Sequence, residues 1–117
     1  MKVYYDKDAD FNIIKDKIVT IVGYGSQGHA HAANLKDSGV KSINIALKEN
    51  SLSVSKAKSA GFNVISNDEA SKNSDILMLA TPDEIQGKLY KHHIHNTLKS
   101  GSALAFAHGL NIHYGLI

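Results

Sequence analysis

An apolar run that stops on a glycine turn constrains this chain more than any other feature. Lys17–Val22 (KIVTIV) is β-branched and lacks polar alternation, the composition of a strand covered on both faces. It runs directly into Gly23-Tyr24-Gly25-Ser26-Gln27-Gly28, which fits G-x-G-x-x-G. An Ala-rich stretch, Ser26–Ser38, follows and closes at Gly39, which predicts a helix with a glycine just past its end. Each glycine of the turn answers a separate steric demand. The first permits the turn, the second lets backbone approach a bound group, and the third lets helix and strand pack closely. The helix start then offers unpaired N–H groups and a positive dipole end to an anion such as a pyrophosphate. The alternative is a strand–helix turn without a ligand, and the flanking strand and helix weigh against it.

The rest of the chain repeats the alternation. Ser42–Leu47 (SINIAL), Asn63–Ile65, Asp75–Ala80 (DILMLA) and Ala103–Ala107 (ALAFA) are expected strands. Between them, Leu52–Ala60 with Gly61 behind it reads as a helix, and Asn67 or Asp68 is placed to cap a short helix to Asn73. Asp83–Lys91 opens with two acids after Thr81-Pro82, which suits a helix N-terminus. Strands and helices joined by short connections predict an α/β fold, a doubly wound parallel sheet of the Rossmann type. Such sheets have about six strands, whereas five runs are found here and Leu110–Ile117 is expected to trail off without a closing helix. Residues 1–117 therefore read as a dinucleotide-binding domain cut short after its fifth strand.

Composition narrows the function classes. At 117 residues, with 43% hydrophobic and 21% charged residues, the chain is an ordinary globular domain. It has no cysteine, which excludes a disulfide scaffold, a thiolate nucleophile and a Cys-ligated metal. A net charge of +2 is too mild to argue for nucleic acid. No apolar run approaches the roughly 18 residues of a membrane span. The opening Met1–Asp6 lacks a signal core, so the cytoplasm is the expected compartment.

The end of the second strand selects the cofactor. An acid there binds the ribose 2′-hydroxyl of NAD, while a base and hydroxyls accommodate the 2′-phosphate of NADP. Lys48, Ser51 and Ser53 favour NADPH. Glu49 stands at a spacing that also suits a 2′-hydroxyl.

Taken together, three segments resemble one family. They are Gly23–His31 (GYGSQGHAH) running on through Asn34–Gly39, then Thr81-Pro82-Asp83-Glu84, and Ala105–Tyr114 (AFAHGLNIHY). Val3–Asp6 with Asp8 and Asp10 agrees as well. The chain is similar, over essentially its whole length, to the N-terminal domain of ketol-acid reductoisomerase (acetohydroxy-acid isomeroreductase) of the short, bacterial-type class. The resemblance implies an enzyme of valine, leucine and isoleucine synthesis. That enzyme migrates an alkyl group in 2-acetolactate or 2-aceto-2-hydroxybutyrate and reduces the new ketone with NADPH, with magnesium present. It further implies cofactor contacts from Tyr24, Gly25, Ser26 and Gln27, from Lys48, Ser51 and Ser53 at the 2′-phosphate, and from Asp83, Glu84, Ile85 and Gln86. His108 matches the family's active-site histidine. Where this family often has arginine, Lys48 keeps the charge and loses the bidentate fork. The magnesium ligands and most of the substrate pocket belong to a helical C-terminal domain, absent from residues 1–117, and the complete enzyme is expected to be a homo-oligomer. These residues alone are expected to bind cofactor without turnover.

Other residues carry less. His108, at the end of an expected strand, stands where ligands bind in open sheets; the bland reading is a histidine satisfied by backbone beside a glycine. His29 and His31 point to different helix faces and read as packing residues. His92, His93 and His95 have no acid beside them, and Lys91–Lys99 reads as a polar surface segment rather than a metal site. Tyr4 and Tyr5 are expected to pack the N-terminal arm onto the sheet. Two other functions fit the same opening. One is another NADP-dependent oxidoreductase of the β-hydroxyacid dehydrogenase type, which requires a lysine-based segment downstream. The other is a non-enzymatic nucleotide-sensing module, which usually wants an acid where Lys48 stands.

Overall fold

Five apolar runs pair side by side, all in parallel. The computed structural model describes residues 1–117. The strands are β1 (Ile18–Val22), β2 (Ser42–Ala46), β3 (Asn63–Ile65), β4 (Ile76–Leu79) and β5 (Ala103–Phe106), and their order in the sheet is β3-β2-β1-β4-β5. They alternate with α1 (Ser26–Ser38), α2 (Ser53–Ser59), α3 (Asn67–Asn73) and α4 (Asp83–Leu89). This is the doubly wound sheet expected, with β1 central: Val22 lies opposite Ala46 on one side and Leu79 on the other.

Strand side chains alternate between two cores. Ile21 and Ile45 join Tyr24, Ala32, Ala57 and Phe62 beneath α1 and α2. Val22, Ala46, Leu77 and Leu79 join Ala70, Leu89 and Ile94 beneath α3 and α4. This period of two, with both faces covered, explains why the strands read as unbroken apolar runs. Thr20 is the polar residue within β1, fully buried, and the Ser74 hydroxyl donates to its Oγ1. At the amino edge of the sheet, the Asp75 carboxylate accepts from the Ile18 N–H and from Lys99 Nζ, both at 2.8 Å. These bonds hold its carboxyl below the usual aspartate range, the Lys99 contact contributing most.

Several elements depart from expectation. Lys91–Lys99 is exposed at most of its polar residues, as expected, but a π-helical turn, Tyr90–Ile94, continues α4, and Ile94 is 1% exposed within the core. Tyr90, Ile94 and Leu98, four apart, pack on that one core, a helical spacing that the reading as surface passed over. Beyond β5 the chain forms a short helix, α5 (Leu110–His113), where none was expected; four residues are too few for a pattern to show. The cap of α3 is Ser66, whose Oγ accepts from the Glu69 N–H at 3.2 Å, and not Asn67 or Asp68. Tyr4 and Tyr5 are 68% and 66% exposed, so the arm does not rest on them. No helix is long and apolar enough to cross a membrane.

Candidate functional site: the cleft along the carboxyl edge of the sheet

In a sheet ordered 3-2-1-4-5, connections leave β1 and β4 toward opposite faces, and a crevice opens at their carboxyl ends. The glycine turn forms its floor. Gly23 has φ 101° and ends β1; a Cβ there would lie 3.0 Å from Thr81 Cγ2 and 3.2 Å from the Ala80 carbonyl oxygen. A Cβ on Gly28 would lie 2.5 Å from the Gly23 carbonyl oxygen. Gly25 differs. It is extended, and nothing stands within 4 Å of where its Cβ would be. The fold demands the first and third glycines, whereas the second leaves an open cradle at the start of α1.

Three neighbouring hollows make up the cleft. The first, about 470 Å³, is bounded by Tyr24, Gly25, Ser26, His29, Ser53 and Lys56. The second, about 280 Å³ and mostly apolar, lies at the ends of β1 and β2 against α4, with Lys48, Ser51, Asn67, Thr81 and Ile85 in its walls. The third, about 430 Å³, runs from Gly25, Ser26 and Gln27 across Thr81 and Asp83 to Gln86 and His108. Shared walls at Gly25, Ser26 and Thr81 make them one groove.

The candidate residues take different places in it. Ser26 and Gln27 are exposed on the first turn of α1. Tyr24 lines the cleft with one edge, but its ring is 6% exposed and packs edge-on against His29 and Phe62. Lys48 and Ser51 wall the second hollow, and Ser53 walls the first, so the trio is divided between them. Glu49 is exposed and walls none of the three. Ile85 reaches the second hollow and Asp83 the third. Glu84 lies outside these hollows, beside Leu110 and Leu116.

Gln86 and His108 show how the groove is held. Gln86 is 2% exposed; its Nε2 donates to the Thr81 carbonyl at 2.7 Å, and its Oε1 accepts from Asn111 Nδ2 at 2.9 Å. Asn111 Nδ2 also donates to the Asp83 carbonyl at 3.1 Å. The pair bolts the turn after β4 to the segment after β5. His108 follows β5 on that segment, exposed to the third hollow. Its Nδ1 accepts from the Leu110 N–H at 3.3 Å, which puts the proton of the neutral ring on Nε2. Asp83 Oδ2 is 3.8 Å from Nδ1, too far for a hydrogen bond.

The structure brings in residues the sequence reading had not placed here. Lys56 stands three positions after Ser53, on the same helix face, a spacing that was visible. Thr81 and Asn111 lie in two of the segments that carried the family resemblance, without a role read for either, and Asn67 was read only as a candidate cap. The remaining histidines disperse: His93 Nδ1 meets Asp68 Oδ1 at 2.8 Å, and His95 Nδ1 meets the Tyr90 hydroxyl at 3.3 Å. No three His, Asp or Glu side chains converge as a metal site.

A parallel sheet with a glycine cradle and a groove across its strand ends defines a dinucleotide-binding α/β domain. The family model described as acetohydroxy acid isomeroreductase, NADPH-binding domain, matches residues 13–117. The chain belongs to that family. Among solved structures it is similar to an NADH-preferring ketol-acid reductoisomerase from an uncultured archaeon, at 39% identity and a TM-score of 0.93. That match covers 100% of this chain and 37% of the other, so the chain spans little more than a third of that protein. Two more distant structures share the fold alone. Pyrroline carboxylate reductase from Plasmodium falciparum, with NADP bound, is 20% identical with a TM-score of 0.62, covering 80% of this chain and 34% of its own. An imine reductase variant from Myxococcus stipitatus, in complex with NAD+, is 23% identical with a TM-score of 0.64, covering 78% and 31%. The family match favours neither the β-hydroxyacid dehydrogenase nor the nucleotide-sensing alternative.

Proposed function

We propose that residues 1–117 are the NADPH-holding part of a ketol-acid reductoisomerase acting on 2-acetolactate and 2-aceto-2-hydroxybutyrate in branched-chain amino acid synthesis. The observation that carries this reading is the groove itself. It runs from Lys48 across the open cradle at Gly25 to His108, and Glu49 walls none of it. The donor set fits a phosphorylated dinucleotide. Backbone N–H groups at Ser26 and Gln27 face an open space of the kind a pyrophosphate fills. Lys48 with Ser51, and Ser53 from the neighbouring hollow, meet the 2′-phosphate. Asn67 Oδ1 and Thr81 Oγ1 are buried without hydrogen-bond partners, and both residues wall the second hollow.

Bound NADPH supplies the hydride for the reduction that follows alkyl migration. The chain's own work is to hold and orient. The glycine turn fixes the phosphates, Ile85 and Asp83 border the cofactor, and the Gln86–Asn111 pair keeps the two flanking loops in register. His108 is the catalytic residue of this reading, holding a proton on Nε2 at the third hollow. The magnesium-binding carboxylates and most of the substrate pocket belong, in this proposal, to a helical domain beyond these residues in a cytoplasmic homo-oligomer.

The test has two arms. NADPH should bind the chain more tightly than NADH, and Lys48→Glu should reverse the order. Loss of one charge-assisted phosphate contact is worth about 1.5–3 kcal/mol, roughly ten- to a hundredfold in affinity. Equal affinities in the wild type would remove the argument from Lys48. In the complete protein, turnover of 2-acetolactate should require both NADPH and a divalent cation. Turnover undiminished by a chelator would refute the reductoisomerase reading.

A further inference from the structure

The second hollow holds a polar feature that neither the fold nor the phosphate contacts use. Its walls are largely apolar, from Val22, Ala46, Leu47, Ile85 and Leu89. The half-buried carboxamide of Asn67 stands in this setting, and its Oδ1 is buried with no hydrogen-bond partner. Such orphans are uncommon, because a buried carbonyl that loses water without gaining a donor costs stability. Helix capping does not account for it: Ser66 Oγ takes the Glu69 N–H, while Asp68 pairs with His93. Asn50, the other carboxamide at this hollow, is exposed in a turn.

We propose that Asn67 reads the adenine base of the dinucleotide. The inference rests on the cleft being a dinucleotide site. An apolar slot accepts the flat base, and a carboxamide complements its edge, the oxygen accepting from the exocyclic amine and the nitrogen donating to N7. Rotation about the last side-chain torsion, which is soft for asparagine, turns the amide toward the base. Binding then supplies the donor that the free protein lacks. A hypoxanthine base presents a carbonyl where adenine presents its amine, so acceptor would face acceptor and one hydrogen bond would be lost.

Titration of the full chain with NADPH and with its hypoxanthine analogue, followed by reduced-nicotinamide fluorescence, tests this. Wild type should prefer NADPH by about tenfold. Asn67→Ala should weaken NADPH by about tenfold more than it weakens the analogue, bringing the ratio close to one. Equal affinities in the wild type would overturn the proposal, as would a folded Asn67→Ala variant that weakens both ligands alike. The wild-type ratio needs no substitution, so a poorly folding variant does not blunt the test. If NADPH itself fails to bind, the reading of the whole cleft falls and Asn67 with it. If NADPH binds without discrimination between bases, only the role of Asn67 falls.

Discussion

Replacing Gly28 and Gly25 by alanine, one at a time, separates what the fold needs from the glycine turn from what the ligand needs. At Gly28 the new Cβ would stand 2.5 Å from the Gly23 carbonyl oxygen and 3.1 Å from its carbon. Close C···O contacts settle near 3.3 Å or beyond, so about 0.8 Å must be found. Gly23 is tied to the sheet by its N–H, which donates to the Ala46 carbonyl at 3.0 Å. α1 must therefore lift from β1. Overpacking of this kind costs about 1–3 kcal/mol, and alanine recovers at most about 1 kcal/mol of helix propensity. Because the obstacle is backbone, the cost falls in the upper part of that range, about 2–3 kcal/mol, and the net loss of roughly 1–2 kcal/mol should lower Tm by about 4–8 °C.

Gly25→Ala should behave in the opposite way. Its φ of −77° is open to any L-residue, and nothing lies within 4 Å of the added methyl. A small penalty for alanine as an N-cap and a small gain from a stiffer unfolded chain nearly cancel, so Tm should stay within about 2 °C of wild type. The methyl does enter the cradle where backbone must approach a pyrophosphate, and NADPH affinity should fall by about tenfold or more. Thermal melts of both variants, paired with NADPH titrations, decide the matter. A Gly25→Ala protein that melts as early as Gly28→Ala, or that binds NADPH like wild type, would refute the assignment of the second glycine to the ligand.

Two further outcomes follow from buried and edge contacts. Asn111→Leu strips partners from Gln86 Oε1 and the Asp83 carbonyl inside the core, so unfolding free energy in urea should drop by about 1–3 kcal/mol; an unchanged midpoint would show the pair to be idle. The Asp75 carboxyl is held below its ordinary range by Lys99 and the Ile18 N–H. Its contribution is therefore present above the unfolded carboxylate value and lost as pH falls through the lower folded value. Wild type should melt above Asp75→Asn at neutral pH, with the gap closing below about pH 4; a gap that persists or widens in acid would contradict the bonding at this edge.

How much of the site was legible depends on how far apart its parts lie in the chain. The glycine turn was readable because its main demands are local: Gly23 adopts φ 101°, and a Cβ on Gly28 would meet the Gly23 carbonyl five residues back. The bounds of α1 were readable for the same reason, since Gly39 adopts φ 99° and closes the helix on the spot. The depth of Ile94 was not readable from its spacing of four from Tyr90 and Leu98 alone, because the core it enters is built largely by β1, β2 and β4, which lie 15 or more residues earlier. Nor was the Gln86–Asn111 bond, between residues 25 positions apart that only the pairing of β4 with β5 brings together.

The same distinction explains why Lys48, Ser51 and Ser53 form one cluster in sequence and two in space. The chain turns into α2 between them, placing Ser53 and Lys56 on the α1 side of the glycine turn and leaving Lys48 and Ser51 over the end of β2. In the proposed cofactor site a basic residue followed by serines would mark the phosphate end, and which hollow each residue lines is decided by the helix that begins at Ser53. A 2′-phosphate held there would meet cations from two hollows, Lys48 at one and Lys56 at the other. The second cation would offset what Lys48 lacks of arginine's two-pronged grip.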